Sequence, residues 1–213
     1  MKTSDAGRKF IESWEGLILG AYDDHNDHIV PVGGTPIGVL TIGYGHTDAA
    51  GPPKVYVGQK ITQQEADNFL ASDLASVENE VNHLVKVPLN QNQFDALVSF
   101  QFNTGWLGHP GCSLLSALNG GNYDLAANDF KLYDHAGGKV LAGLTKRRTA
   151  ERTMFLAPVS PVNVVHGPAA GAAVIVVGSS VAANYHSPMI FLVTLGVALV
   201  AGLVIHYLVN RKV

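Results

Sequence analysis

The chain lacks the features that would assign it to several common classes. Among its 213 residues there is one cysteine, Cys112, so no disulfide can form within the chain and its redox compartment is not encoded. Charged residues make up 15% of the sequence, and the net charge is −3. Without a long basic run to neutralise phosphates, we expect no nucleic-acid partner. We interpret Cys112 as an inert core residue.

One small cluster of basic residues stands out against this low charge. It consists of Lys146, Arg147, Arg148 and Arg152. On a helix these positions spread around the surface and do not form one stripe. We therefore predict that they form a solvated face.

Charge is absent from most of the C-terminal quarter. No Asp, Glu, Lys or Arg occurs from Ala157 to Asn210. Residues 189–209 are long enough, at about 1.5 Å per residue, to cross a hydrocarbon core of ~30 Å as a helix. We divide the chain into a folded domain at 1–156, a Pro-containing linker at 157–168, a membrane region at 169–209 and a basic tail at 210–213. Within the membrane region, 169–184 is a marginal span and 189–209 is a predicted transmembrane helix.

Helical patterns dominate residues 1–156. A first helix is predicted from Ser4 or Asp5 to Trp14. Thr62 begins a capping box before a long apolar-periodic segment that stops ahead of Pro88. Asn90 is a candidate cap for the next helix. Further helices are predicted at 113–118, 123–133 and 144–155, and short strands at 21–24 and 40–45 with a loop at 25–39. This is an α+β layout, mostly helical, with one small antiparallel sheet and a cleft between two lobes.

Two carboxylates near the N-terminus suggest acid–base chemistry. Glu15 ends the first predicted helix, Asp24 follows nine positions later, and Thr41 opens the run Thr-Ile-Gly-Tyr-Gly-His-Thr. Cleavage of a sugar acetal needs one acid to protonate the leaving oxygen and a second polar group to hold water. Taken singly, Glu15 is an ordinary solvated helix-end residue and Asp24 an ordinary turn former. Only the combination of Glu15, Asp24 and the run that begins at Thr41 favours a catalytic role for the two carboxylates.

Several separated motifs, in one order, resemble a known family. They are Glu15-Gly16-Leu17, Ala21-Tyr22 with Asp24, Thr41-Ile42-Gly43-Tyr44-Gly45-His46-Thr47, Asn90 to Leu97, Phe102-Asn103-Thr104-Gly105, Gly111-Cys112-Ser113, and Gly143 to Arg148 with Glu151. This pattern is similar to that of the phage-type lysozymes, the endolysins of glycoside hydrolase family 24. The resemblance covers residues 6 to 156 and implies a two-lobed lysozyme fold.

The resemblance implies a reaction and a role for each candidate. Glu15 becomes the general acid, Asp24 the second catalytic carboxylate, and Thr41 the hydroxyl that helps to hold the attacking water. The implied reaction is hydrolysis of the β-1,4 bond between N-acetylmuramic acid and N-acetylglucosamine in peptidoglycan, with inversion at the anomeric carbon and lysis of the bacterial cell. The nine-residue offset selects Asp24 over its neighbour Asp23. No cofactor is implied.

Four further residues are assigned secondary roles. Phe102, Asn103 and Ser113 are candidates to line the sugar cleft, although core packing and helix capping explain them equally well. In the family pattern His46 braces the N-terminal lobe near the acid, so we interpret it as a supporting residue.

A group of potential metal ligands lies in the loop at 25–39. His25, Asp27 and His28 fall within four residues, but a loop cluster without a second ligand pair rarely binds a metal. We therefore predict no metal site.

The location of the protein follows from its apolar C-terminal region. Residues 1–10 carry no apolar run, so no secretion signal is expected there. If both apolar segments insert, they form a hairpin that leaves the lysozyme domain on the cytoplasmic face of the inner membrane until lysis, which the positive-inside rule favours. If only 189–209 inserts, the domain is periplasmic. The expected partners are peptidoglycan, the bacterial inner membrane and a holin.

Alternative functions and two departures from the family remain open. A lytic transglycosylase would use the acid without water, and an inactive cell-wall-binding or holin-like membrane protein would keep only the fold. The loop at 25–39 is longer than the hairpin turn usual in the family and is a candidate to cover the cleft. Tyr133 stands where Trp is expected, a difference that we assign to packing.

Overall fold

In the computed structural model, the described residues are 1–159, 163–165 and 174–176. Two lobes lie within 1–159. The first contains one helix and a four-stranded sheet, and the second is built from helices. This agrees with the predicted α+β, mostly helical layout.

The first helix, α1, spans Asp5–Glu15 and ends on the candidate acid. Ser4 caps its N-terminus, because the Ser4 hydroxyl accepts a hydrogen bond from the Gly7 N–H at 3.0 Å. Gly16 follows with a φ of 69°, a left-handed conformation that stops the helix and that glycine adopts without strain. The helix is therefore one residue longer than predicted.

An antiparallel sheet follows in the spatial order β2-β1-β3-β4. Its strands are β1 (Ile18–Asp23), β2 (His28–Ile29), β3 (Leu40–Gly43) and β4 (His46–Thr47). The interval at 25–39, predicted to be all loop, thus contributes a short edge strand. The predicted strand at 40–45 is a hairpin, because Gly45 has a φ of 95° and reverses the chain between β3 and β4.

Two capped helices connect and centre the fold. Helix α2 (Gln63–Leu84) begins with a capping box at Thr62, and helix α3 (Gln91–Thr104) begins with one at Asn90, so both predicted starts are confirmed. Eight consecutive residues of α3, from Phe94 to Gln101, are buried. A helix that is buried on every side is a central core element.

The second lobe surrounds α3. It contains α4 (Ser113–Asn119), α5 (Tyr123–Asp129) with a 3-10 turn at Phe130–Tyr133, the hairpin of β5 (His135–Ala136) and β6 (Lys139–Val140), and α6 (Ala142–Leu156). Helix α6 packs along α3. Cys112 is buried, as predicted, with its sulfur 3.4 Å from the Tyr133 hydroxyl.

Little of the C-terminal region falls within the described residues. Strand β7 (Asn163–Val165) pairs antiparallel with β8 (Val174–Val176), so these three residues of the predicted marginal span at 169–184 are extended rather than helical. The predicted transmembrane helix at 189–209 and the tail at 210–213 lie outside the described residues. Within the part that is described, no helix has both the length and the apolar character needed to span a bilayer.

Candidate active site

Glu15 lies at the junction of the two lobes. Its side chain is 20% exposed, and its Oε1 lies 2.7 Å from Nη2 of Arg147 on α6. This contact is an ion pair without hydrogen-bond geometry, and Oε1 is buried with no hydrogen-bond partner among residues 1–159. The candidate acid is thus held beside a fixed positive charge from the other lobe.

Asp24 and Thr41 are brought together by the backbone of Val39. The Val39 carbonyl accepts hydrogen bonds from the Asp24 N–H at 3.1 Å and from the Thr41 hydroxyl at 3.0 Å. In return the Val39 N–H donates to Oδ1 of Asp24 at 2.7 Å. Asp24 is exposed and Thr41 is buried, so the backbone of one residue, Val39, holds a solvent-facing carboxylate next to a buried hydroxyl.

Tyr22 lies next to this pair in the sheet. It lies directly opposite Thr41 in the β1–β3 register, so their side chains share one face of the sheet. Asp24 is the first residue after β1 and begins the turn that follows that strand. The pKa of Tyr22 is raised by burial and by the negative charges of Asp27, Asp24 and Glu15. Thr41 is thus paired with Tyr22 across the sheet, and the charges of Asp24 and Glu15 both act on the Tyr22 hydroxyl.

Asp23 and Asp24, adjacent in sequence, have different structural roles. The Asp23 carboxylate is buried and accepts the backbone N–H groups of Ile37 at 2.5 Å, His25 at 2.9 Å and Gly38 at 2.9 Å. These bonds lower the pKa of Asp23. Asp23 therefore fastens both ends of the loop at 25–39. Asp24 is the carboxylate of the two that remains exposed to solvent.

The loop at 25–39 is anchored at its middle as well as at its ends. The Val30 N–H donates to the Ala21 carbonyl at 2.8 Å, and the Val30 carbonyl accepts from the Gly58 N–H at 2.8 Å. Beyond this anchor, Val32 and Ile37 are exposed. That the loop covers the cleft remains a prediction.

The basic cluster on α6 is not a solvated face, and that prediction is wrong for Arg147 and Arg148. Arg147 is buried and Arg148 is fully buried, whereas Lys146 is exposed and Arg152 is partly buried. The physical reason is Glu151, which is also fully buried and lies one helical turn further along α6. Arg–Glu pairs at spacings of three and four face each other on a helix.

Glu151 is the centre of this buried ion network. Its Oε1 accepts hydrogen bonds from the Ser99 hydroxyl at 2.8 Å, Arg148 Nη2 at 3.0 Å and Arg147 Nε at 3.2 Å. Burial raises the pKa of Glu151, while the two guanidinium groups oppose that rise. Burial also lowers the pKa of Arg148, to about 10, so Arg148 remains charged at neutral pH. Glu151 thus offsets the positive charges of Arg148 and of Arg147, the arginine that contacts Glu15.

Of the three predicted sugar-cleft residues, one is linked to this network. Asn103 is exposed, and its Oδ1 accepts a hydrogen bond from Arg148 Nη2 at 2.7 Å. Phe102 is half-buried and packs against the core. Ser113 is half-buried, and its N–H donates to the Tyr133 hydroxyl at 3.0 Å. Contact with a sugar remains a prediction for all three.

Tyr133 occupies the position where the family pattern suggested Trp. Its ring packs edge-on against Phe100 with the centroids 5.0 Å apart. Burial raises the pKa of its hydroxyl. In this position Tyr133 links α4 to the central helix through the contacts it makes with Cys112 and Ser113.

His46 is buried and connects the sheet to helix α2 and to the segment around Pro53. Its Nδ1 lies 2.9 Å and 3.0 Å from the two carboxylate oxygens of Asp73 on α2, and its Nε2 donates to the Pro53 carbonyl at 2.7 Å. The ring also packs on Phe69, with centroids 4.9 Å apart. Burial raises the pKa of Asp73, and the hydrogen bond from His46 opposes this. The bracing role predicted for His46 fits these contacts.

Potential metal ligands do not gather within the part of the chain that the structure describes. No group of three or more His, Cys, Asp or Glu side chains there could hold an ion. His25, Asp27 and His28 are exposed on the loop surface.

Comparisons with known proteins identify the family that this chain resembles. A family model described as Phage lysozyme matches residues 12–151. The endolysin of Salmonella phage P22 is 39% identical over 156 residues, which cover 73% of this chain and 99% of that protein. The muramidase domain of SpmX from Asticaccaulis excentricus is 37% identical, with a TM-score of 0.61 over 74% of this chain and 99% of that one.

This chain covers only part of the length of some relatives. The endolysin of Bacillus phage B103 is 41% identical over 156 residues, or 73% of this chain. That match spans 54% of the relative, so this chain covers little more than half of that protein's length. The resemblance that the separated motifs predicted is confirmed for residues 12–151.

Proposed function

The chain belongs to the phage lysozyme family, and from that premise we propose that it is a muramidase that hydrolyses peptidoglycan and lyses bacteria. Its target is the β-1,4 bond between N-acetylmuramic acid and N-acetylglucosamine. Both the Salmonella phage relative, an endolysin, and the SpmX relative, a muramidase domain, support this proposal. No cofactor enters the reaction.

One observation carries the proposal. The Val39 carbonyl receives hydrogen bonds from both the Asp24 N–H and the Thr41 hydroxyl, so a carboxylate and a hydroxyl are held side by side. Glu15 comes from the end of α1, and its carboxylate lies 2.7 Å from Arg147 of the second lobe. An acid, a second carboxylate and a hydroxyl are the groups that hydrolysis of a glycosidic bond requires.

The reaction assigns one step to each residue. Protonated Glu15 gives its proton to the glycosidic oxygen as the bond to the anomeric carbon breaks. Asp24 and Thr41 hold a water molecule against the opposite face of the sugar ring, and attack by that water inverts the anomeric configuration. Arg147, 2.7 Å from Glu15, stabilises the carboxylate that proton transfer leaves behind.

The glycan strand is bound by the second lobe. Asn103 is the best supported contact, since it is exposed while Arg148 holds its carbonyl oxygen. With that oxygen occupied, the amide N–H groups are the donors left for an acetamido or hydroxyl oxygen of the sugar. Phe102 and Ser113 are the other two residues proposed to line the sugar cleft on this lobe.

Product analysis tests the proposed reaction. Full-length protein is incubated with purified peptidoglycan, and the fragments are analysed by mass spectrometry. Hydrolysis yields reducing N-acetylmuramic acid ends, and we expect the rate to fall about 10²- to 10⁴-fold in Asp24→Asn and strongly in Thr41→Val. Asp27→Asn, which changes an exposed carboxylate of the same loop, is the matched control and keeps its activity.

Two outcomes would contradict the proposal. Anhydro-muramic ends would identify a transglycosylase instead. A folded wild-type protein that binds the wall without releasing fragments would identify an inactive wall-binding protein.

We further propose that the uncharged C-terminal region anchors the domain to the inner membrane. The segment at 189–209 has the length and composition of a spanning helix. A hairpin with 169–184, for which strand β8 at 174–176 would have to become helical, would keep the lysozyme domain cytoplasmic until a holin opens the membrane. A tag at residue 1 should then resist protease in intact spheroplasts. Digestion of that tag would rule out the hairpin and favour a single span with a periplasmic domain.

A further inference from the structure

We propose that Trp106, supported by His109, is a stacking platform for a sugar ring of the glycan strand. The proposal rests on the proposed function, because it takes a polysaccharide as the substrate. It adds a binding position beyond Phe102, Asn103 and Ser113. The face of a pyranose ring that carries C–H groups is apolar and packs on the face of an aromatic ring, while its hydroxyl groups remain in water.

The geometry of the two rings supports this assignment. Trp106 and His109 are stacked with their centroids 3.7 Å apart and their planes inclined by 15°. Both residues are exposed, and Trp106 keeps 41% of its surface accessible. A single exposed apolar side chain needs no explanation. An exposed indole with one face covered and oriented by a second ring is a preformed flat surface.

The backbone around the platform is held firmly. Leu107, which follows Trp106 in the sequence, is fully buried, and its N–H donates to Oε1 of Gln101 at 2.7 Å. The Trp106 N–H donates to the Thr104 hydroxyl at 3.0 Å, and the His109 N–H donates to the Trp106 carbonyl at 2.9 Å. A binding surface that is already ordered loses little conformational entropy when it takes a ligand.

The histidine ring has its own fixed orientation. Nδ1 of His109 accepts a hydrogen bond from the Gly111 N–H at 3.1 Å, so the proton of the neutral ring is on Nε2. The ring is thereby kept against Trp106, and Nε2–H is a donor at the edge of the platform.

The segment that carries Trp106 is linked to the candidate acid by a chain of short contacts that begins at Asn103. Asn103, three residues before Trp106, is 2.7 Å from Arg148, which lies 3.0 Å from Glu151. Glu151 in turn is 3.2 Å from Arg147, and Arg147 is 2.7 Å from Glu15. A glycan is a polymer, so a ring some sugar units away from the cleaved bond can rest on such a platform.

Local charge favours a sugar over a lipid surface. Residues 102–112 contain no Lys, Arg, Asp or Glu. Aromatic residues that bind bacterial membranes are normally accompanied by basic residues that attract anionic lipids. A neutral flat surface next to an amide suits a neutral N-acetylated sugar.

Intrinsic fluorescence provides a direct test, since the chain has only two tryptophans, Trp14 and Trp106. The full-length protein is titrated with a tetramer of N-acetylglucosamine, and separately with vesicles that contain anionic phospholipid. Affinity for the tetramer is also measured by calorimetry. We expect Trp106→Ala to weaken binding about tenfold, equivalent to about 1.4 kcal/mol. Trp106→Phe should keep the affinity within about threefold but lose the fluorescence change, and His109→Ala should give an intermediate loss.

Tyr56→Ala is the matched control, because it removes an exposed aromatic side chain from the other lobe. Equal tetramer affinity in wild type and Trp106→Ala would overturn the platform. So would a loss of vesicle binding in Trp106→Ala with sugar binding intact, which would indicate a membrane contact. If the wild type neither binds the tetramer nor cleaves peptidoglycan, the proposed function itself fails. If it cleaves peptidoglycan and Trp106→Ala does so with the same KM, only the platform fails.

Discussion

Neutralising Glu151 should destabilise the fold far more than neutralising a surface ion pair of the same spacing. Arg148 is fully buried, and Glu151 is the carboxylate that pairs with it, with Nε of Arg148 2.9 Å from Oε2. The substitution Glu151→Gln keeps the shape of the side chain but leaves a buried guanidinium without its counter-charge. Removing one partner of a buried pair costs about 3–5 kcal/mol.

That cost is a large part of the stability of a domain, which is typically about 5–15 kcal/mol. With a urea dependence of about 2 kcal/mol/M, the unfolding midpoint should fall by about 2 M. The assay is urea unfolding at neutral pH followed by far-UV circular dichroism. The control is Arg8→Gln, because Arg8 pairs with Asp5 at the same i,i+3 spacing but on the surface of α1. Its expected effect is below about 1 kcal/mol.

A double variant separates lost charge from lost shape. Arg148→Met combined with Glu151→Leu removes both charges together, and we expect it to recover part of the stability that Glu151→Gln loses. Recovery will be incomplete because Arg147 and Ser99 also bond to Glu151. If the free energy of unfolding of Glu151→Gln is within about 1 kcal/mol of the wild-type value, as that of Arg8→Gln should be, the account of the buried network is wrong.

Two further predictions concern the loop that carries Asp24. Gly38→Ala should reduce lysis of cell walls while the fold persists, because a Cβ at this position would collide with the carboxylates of Asp24 and Asp23; an unchanged turbidity assay would contradict this. Asp23→Asn should remove an acid-dependent part of the stability. Backbone N–H groups lower the pKa of Asp23 below its unfolded value of about 3.9, so its contribution is present above about pH 4 and is lost as pH falls through the lower folded pKa. The difference in unfolding free energy between wild type and Asp23→Asn should therefore shrink between about pH 6 and pH 2, and a constant difference would count against the role of Asp23.

The helix starts could be predicted from sequence because their signals are local. Ser4, Thr62 and Asn90 each bond to a backbone group three residues later, so the residues that fix a helix start lie within one turn of each other. The ends of α1 and α3 are likewise marked by the glycines that follow them. These features need no knowledge of the tertiary fold.

The buried arginines could not be placed in the same way. The partners of Arg147 and Arg148 include Glu15 on α1 and Ser99 and Asn103 on α3, which are distant in sequence. One local signal was present, namely that Glu151 stands three and four residues after the two arginines. Spacing alone, however, predicts a surface pair as readily as a buried one.

The candidate catalytic carboxylate could only partly be identified from the sequence. The offset from Glu15 favoured Asp24 over Asp23, but the physical distinction lies in the three N–H groups that occupy Asp23. Two of those donors, Ile37 and Gly38, come from the far end of the loop at 25–39. The short strand β2 inside that loop was missed because a two-residue strand leaves no alternating pattern to detect.

The rate of reducing-end formation by Glu15→Gln tests the central claim most directly. The variant is first shown by circular dichroism to be folded, and its initial rate on purified peptidoglycan is then compared with that of the wild type at the same pH. If Glu15 donates the proton to the glycosidic oxygen, the rate should fall by about 10²- to 10⁴-fold, because glutamine has no proton of comparable acidity. A folded Glu15→Gln that releases reducing ends at nearly the wild-type rate would contradict the account.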